Sequence, residues 1–176
     1  MNSRLSPRPG RAAGRPGRRR RSAVTLTTLM ATALVTTACT APRPTPAPTP
    51  VPEPVFIHPD GPPVNPFSPA VRVGDLVFVS GTLGTTGTGL TLVPGGIQPE
   101  TRQVMENIKR TLAAAGLGMD RLVKCTAYLA DLMEWPAMNE VYRSYFTNGR
   151  FPARAAVQAT LLNGARVELE CIAAAR

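Results

Sequence analysis

Histidine and cysteine are scarce in this chain of 176 residues, which holds one His and three Cys. A metal site built from clustered imidazoles and thiolates is thereby excluded. His58 stands alone near a proline-rich stretch and is expected to face solvent. A phosphate cradle is missing too. Residues 84–96 are a Gly/Thr-rich loop (Gly84, Gly87, Gly89, Gly95, Gly96) without the spacing or the following Lys-Ser/Thr that such a cradle needs. No internal repeat is visible. The apolar stretch from Ala23 to Thr37 is about fifteen residues long and threonine-rich, short of the ~20 that a membrane-crossing helix requires. Finally, no acidic residue precedes Glu53.

That last absence splits the chain. Eight of the 20 Lys+Arg lie before Ser22 (Arg4, Arg8, Arg11, Arg15 and Arg18 to Arg21), which leaves 12 basic against 11 acidic residues after Cys39. The basic excess belongs to the leader and the remainder is near neutral, so neither a nucleic-acid partner nor a ribonuclease surface is indicated. Residues 1–39 read as an export signal: an arginine-rich start, the apolar stretch, then Thr37-Ala38-Cys39. The ending resembles a bacterial lipobox, with Cys39 as the lipidated residue and an anchor to a membrane. Residues 40–56 are a linker. Seven prolines alternate there with small residues, from Pro42 to Pro54, and favour an extended, semi-rigid spacer. Residues 57–176 form one domain, long enough for its own core.

Within that domain, Val71 to Val79 reads as a hairpin turning at Gly74-Asp75. Ile97, Thr101, Val104, Ile108, Leu112 and Ala115 form the stripe of a helix that ends at Gly116. Leu122 to Ala130 is a strand, and Pro136 opens a second helix with Met138, Val141, Tyr142 and Tyr145 on its buried stripe. Cys125 and Cys171 sit in apolar strand patterns. They read as buried free thiols, although an exported domain could join them.

The C-terminal stretch carries the chemistry. Phe151-Pro152-Ala153-Arg154 leads to a strand, an Asn163-Gly164 turn and Val167-Glu168-Leu169-Glu170. Read as a hairpin with a three-residue loop at Leu162 to Gly164, Leu161 pairs with Ala165, Gln158 faces Glu168, and Ala156 faces Glu170. Arg154, Gln158 and Glu168 then share one face, with Arg154 roughly 13 Å along from Glu168 at ~3.3 Å per residue. An arginine forks a carboxylate and a nearby acid moves a proton, which suggests a small-carboxylate site. On opposite sides of that ribbon the two groups would make no such site.

Four stretches together resemble the RidA family of reactive-intermediate deaminases, also called YjgF or L-PSP. They are Pro66 to Val71 with Val79-Ser80-Gly81; Gln98 to Gly116; Thr126 to Leu132 with Met138 to Tyr142 and Tyr145-Phe146; and Phe151 to Arg154 with Val167 to Glu170. The resemblance implies an α+β fold, a mixed β-sheet with two helices on one face, similar to chorismate mutase. It implies a homotrimer with sites in the clefts between subunits. The implied reaction is hydrolysis of amino-acid-derived enamines and imines to 2-oxo acids and ammonia, without a cofactor. By the same resemblance Arg154 clamps the substrate carboxylate, Glu168 orients water or passes a proton, and Phe67, Ser80, Gly81, Ala156 and Gln158 line the cleft. Phe67 stands where deaminating members usually have tyrosine, and Ala156 where many have cysteine. The competing class is a non-catalytic trimer that displays a small-carboxylate-binding cleft outside the cytoplasm.

Overall fold

A computed structural model describes Pro50, residues 52–87 and residues 89–176 of the chain, all in the second of two units, Ala47–Arg176. The export signal, Cys39 and most of the linker lie outside the described residues. Strand β1 (Val55–Ile57) begins inside the stretch read as linker, and its Val55 and Phe56 pair with Arg72 and Val71. Strands β2 (Ala70–Val73) and β3 (Leu76–Leu83) form the expected hairpin, with Gly74 at φ 57°, the left-handed conformation that a type II′ turn requires at its first position. The Gly/Thr-rich loop contains a minimal ribbon, β4 (Thr85–Thr86) with β5 (Thr91–Leu92).

Helix α1 (Ile97–Ala114) follows, then strand β6 (Leu122–Leu129), helix α2 (Trp135–Arg143), strand β7 (Ala153–Gln158) and strand β8 (Val167–Ala174). The main sheet has the order β1-β2-β3-β8-β6-β7 and is mixed, since only β6 and β7 run parallel. Val104, Met105, Ile108 and Leu112 of α1 and Met138 of α2 pack with Val77, Cys125, Leu129, Val167 and Leu169 of the sheet. Each fully buried aliphatic side chain stabilises the fold by about 1.5–3 kcal/mol. Both helices contribute to this one core, and the opposite face of the sheet keeps Phe78, Val123 and Glu168 at least partly exposed.

Two buried polar residues of α1 tie this core to the loops. The Glu100 carboxylate accepts backbone N–H bonds from Arg166 at 2.7 Å and Val167 at 3.2 Å, fixing the entry to β8. The Asn107 amide donates to Leu83 O at 3.0 Å and Thr85 O at 2.9 Å, fixing the exit of β3.

The terminal hairpin is not formed. Strand β6 lies between β7 and β8, so Gln158 does not face Glu168, nor Ala156 Glu170. The three-residue turn exists, with Asn163 at φ 55° and Gly164 at φ 74°, but it sits within a connection that carries the chain across the end of β6. Two strands flanking a third are about 9–10 Å apart, a gap that residues 159–166 span easily.

The cysteines are joined as well. Cys125 and Cys171 are directly opposed on β6 and β8 and form a disulfide across a Cα–Cα distance of 4.1 Å. The pairing of β6 with β8 sets the two inward-facing side chains directly against each other. The free-thiol reading is thus replaced.

Candidate active site

Register decides which face each functional residue occupies, because laterally paired residues share a face. Arg154 pairs with Cys125, which pairs with Cys171; Ala156 pairs with Ala127, and Gln158 with Leu129. These partners belong to the buried core, so Arg154, Ala156 and Gln158 lie on the helix face of edge strand β7. Glu168 pairs with Tyr128, which pairs with Val157, and all three lie on the open face. The single-face site expected from the sequence is therefore absent. Arg154 and Glu168 of one chain stand on opposite sides of the sheet.

Each group sits in a prepared surrounding. On the helix side, the Arg154 guanidinium lies over the Tyr142 ring, 4.3 Å from its centroid, and donates to Asn139 Oδ1. Cation–π attraction and one amide acceptor hold the fork at the sheet edge with most of its five N–H groups uncommitted. Burial lowers the Arg154 pKa and Tyr142 opposes the shift, while the Tyr142 phenol is pushed up, chiefly by burial. The Tyr142 hydroxyl itself is buried without a hydrogen-bond partner. Tyr142 lies in the core, as its place on the α2 stripe implies, whereas Asn139 is a neighbour of Arg154 that the motifs do not single out. The signal was present in the spacing: Met138, Asn139 and Tyr142 lie three and four residues apart on α2 and share a side of the helix.

On the open side, a cavity of about 480 Å³ brings together Phe67, Ser80, Gly81 and Glu168, four of the expected site residues. Its floor is a β-bulge. Val79 pairs with Cys171 and Thr82 with Leu169, so Ser80 and Gly81 together oppose Glu170. Bulges of this kind re-aim side chains and recur beside active sites. The Ser80 hydroxyl donates to Ser68 O at 2.7 Å and its N–H to Pro69 O at 3.0 Å, which pins the loop carrying Phe67 against the bulge. Gly81 lets the Glu168 carboxylate lie close against the bulge: a Cβ there would lie 2.0 Å from Glu168 Oε1 and would push that side chain aside. Burial, and then the charge of Glu170, raise the Glu168 pKa above its ordinary 4.5. Among the described residues, Glu168 has no cation partner and Arg154 no carboxylate.

The cavity also holds residues that the sequence did not single out. His58 is half-buried rather than solvent-facing, with Nε2 3.4 Å from Ser68 Oγ and Nδ1 buried without a partner. Arg110 and Asp60 close an ion pair at 3.2 Å in the lining. Among the described residues no group of His, Cys, Asp and Glu could hold a metal ion, and no helix is long and apolar enough to cross a membrane.

Comparison with known proteins agrees with this fold. The family model described as endoribonuclease L-PSP matches residues 59–175. The chain is 42% identical over 111 residues to a mouse protein named 2-iminobutanoate/2-iminopropanoate deaminase, covering 62% of this chain and 82% of the relative. The goat protein of the same name is 45% identical over 111 residues, covering 62% and 80%. Among solved structures, Escherichia coli TdcF with bound serine is similar at a TM-score of 0.62 and 30% identity, covering 68% of this chain and 98% of TdcF.

Proposed function

This chain belongs to the endoribonuclease L-PSP family, and from that premise we propose that it hydrolyses amino-acid-derived enamines and imines to 2-oxo acids and ammonia. The deaminase relatives at 42% and 45% identity support the reaction, and the serine held by TdcF supports a small amino-acid-like carboxylate as the ligand. The observation that carries the reading to particular atoms is a cation and an anion that each lack an ion-pair partner among the described residues, the Arg154 fork at one sheet edge and the Glu168 carboxylate beside the bulge on the opposite face.

Since one chain presents them on opposite faces, two copies supply them. The open face of one protomer contributes Glu168, Gly81, Ser80 and Phe67. The β7 edge of its neighbour contributes Arg154, Ala156 and Gln158. A closed homotrimer repeats this heterologous contact three times. Arg154 grips the substrate carboxylate with two N–H bonds. Glu168 takes a proton from water as the oxygen adds to the C=N carbon and returns it to nitrogen, giving a carbinolamine; it then moves the hydroxyl proton to the amine, so that C=O forms as the C–N bond breaks and ammonia leaves. Positioning and one acid–base group suffice because an imine is already electrophilic. Without a phenol at Phe67 or a thiol at Ala156, orientation of the water falls to Glu168 and the backbone.

The same reading places the protein outside the cytoplasm, anchored through Cys39 and held off the membrane by the proline-rich linker. The Cys125–Cys171 disulfide supports it, because such bonds persist in oxidising compartments.

Complementation tests the site. Arg154→Ala and Glu168→Gln are each expected to slow the catalysed decay of an imine generated in situ by an amino acid oxidase by roughly a thousandfold. Co-expressed, the two variants form mixed trimers in which about a quarter of the clefts recover both groups, and activity returns in proportion. No recovery in verified mixed oligomers would rule out a shared site. Tight carboxylate binding with no turnover in the unmutated chain would rule out catalysis.

A further inference from the structure

We propose that the cavity beside Glu168 is a side-chain pocket that selects imines of bulky apolar amino acids over those of alanine and 2-aminobutyrate; this deepens the deaminase reading and rests on it. Size points this way first. The cavity of about 480 Å³ holds the equivalent of roughly sixteen waters at ~30 Å³ each, whereas 2-iminopropanoate has half a dozen heavy atoms. Chemistry points the same way. Phe67, Leu90 and Leu162, at 53%, 46% and 56% exposure, converge on it from three separate segments, with Val64 at the rim. Single exposed hydrophobic residues are ordinary, but three lining one cavity that reaches a candidate acid are the composition of a ligand pocket.

The polar groups of the lining are mostly committed elsewhere. Ser80 Oγ donates to Ser68 O at 2.7 Å, Thr82 Oγ1 to Ser80 O at 2.9 Å, and Arg110 is paired with Asp60. The side chains left free to bind a guest are Glu168, His58, Asn65 and Thr85, and Phe67, Leu90 and Leu162 supply the apolar surface between them. The carboxylate end of the substrate is fixed elsewhere, at Arg154 of the neighbouring copy. Glu168, Leu90 and Leu162 line one cavity, so a substrate whose reacting carbon is at Glu168 has that apolar surface within reach of its side chain.

Transferring each further methylene from water to such a pocket contributes about fourfold in affinity for the transition state. The imine of leucine carries three more carbons than that of alanine, and a half-open pocket recovers part of the gain. We expect kcat/KM for the leucine imine to exceed that for the alanine imine by about tenfold or more. The assay is the full chain with imines made in situ by an L-amino acid oxidase with catalase, trapped with semicarbazide. In Leu162→Ser, and independently in Leu90→Ser, the leucine-to-alanine ratio falls several-fold toward one; both positions are exposed enough to keep the fold. Equal acceleration of the two imines, as when a neighbouring protomer fills the groove, overturns this proposal and leaves the deaminase reading intact. A preference that both serine variants leave unchanged also overturns it. No acceleration of any imine overturns both.

Discussion

Gly81→Ala isolates the close approach between the bulge and the proposed general base. The backbone at Gly81 is not in the left-handed region, so alanine is conformationally admissible there. The cost falls on one neighbour. The added Cβ would lie 2.0 Å from Glu168 Oε1 and 3.1 Å from Cδ, against 3.4 Å or more in ordinary contact. The nearer oxygen must therefore retreat by about 1.4 Å. Glu168 is half-buried at the end of a rotatable side chain and can do so without disturbing the core. A reacting group displaced by about 1 Å loses on the order of a hundredfold in rate, equivalent to ~2.7 kcal/mol of barrier. We expect kcat/KM for imine hydrolysis to fall by roughly that factor while the melting temperature shifts by no more than a few degrees. The double variant Gly81→Ala/Glu168→Gln should be no worse than Glu168→Gln alone, since both changes act through one carboxylate. Full activity in a folded Gly81→Ala protein, or additive losses in the double variant, would refute the coupling.

Two further outcomes follow from the same geometry. Glu168 must be ionised to act as a base, and its pKa is raised above 4.5, so the acid limb of kcat/KM should have its midpoint above 4.5. The raised value also means that the folded state favours the protonated form, so this group's contribution to stability falls as pH rises from 4.5 through the folded pKa. Glu168→Gln should accordingly raise the melting temperature at neutral pH and not below 4.5; a melting curve insensitive to the substitution across that range would contradict the shift. Reducing the Cys125–Cys171 disulfide, or replacing both cysteines by alanine, removes a cross-link spanning 46 residues. Chain entropy values such a loop at about 4 kcal/mol, so a fall of about 10 °C or more in melting temperature is expected; an unchanged melt, or two free thiols titrated in the unfolded oxidised protein, would exclude it.

Much of the fold was legible because local rules governed it. The Gly74-Asp75 turn, the α1 stripe and Pro136 at the start of α2 each follow from residues close in sequence. The neighbours of β7 were not legible. Alternation along Val157, Ala159 and Leu161 suits either of two adjacent strands, and a good turn at Asn163-Gly164 makes the adjacent partner look inevitable. What decides against it is non-local: β6 is apolar on the side that meets α1 and α2, and pairing on both flanks satisfies its backbone. The same exchange separates Arg154 from Glu168. Sequence motifs identified both residues, but which face of the sheet carries each one depends on the register across three strands. The Phe67–Ser80–Gly81–Glu168 grouping was found by resemblance, and its physical basis, the bulge, has no signature beyond Ser-Gly inside a strand. The disulfide was missed for the opposite reason. Each cysteine looked like ordinary core, and only the pairing of β6 with β8 brings them face to face.

Strand β8, last in chain order among the described strands, takes a central place, between β3 and β6. Until Val167–Ala174 docks, the ladder exists as two separate halves, and neither has its inner flank occupied. Closure of the main sheet therefore waits on this one strand, which alone joins the two halves. That place also makes a short C-terminal truncation far more damaging than its length suggests, because it withdraws the keystone rather than trimming a border.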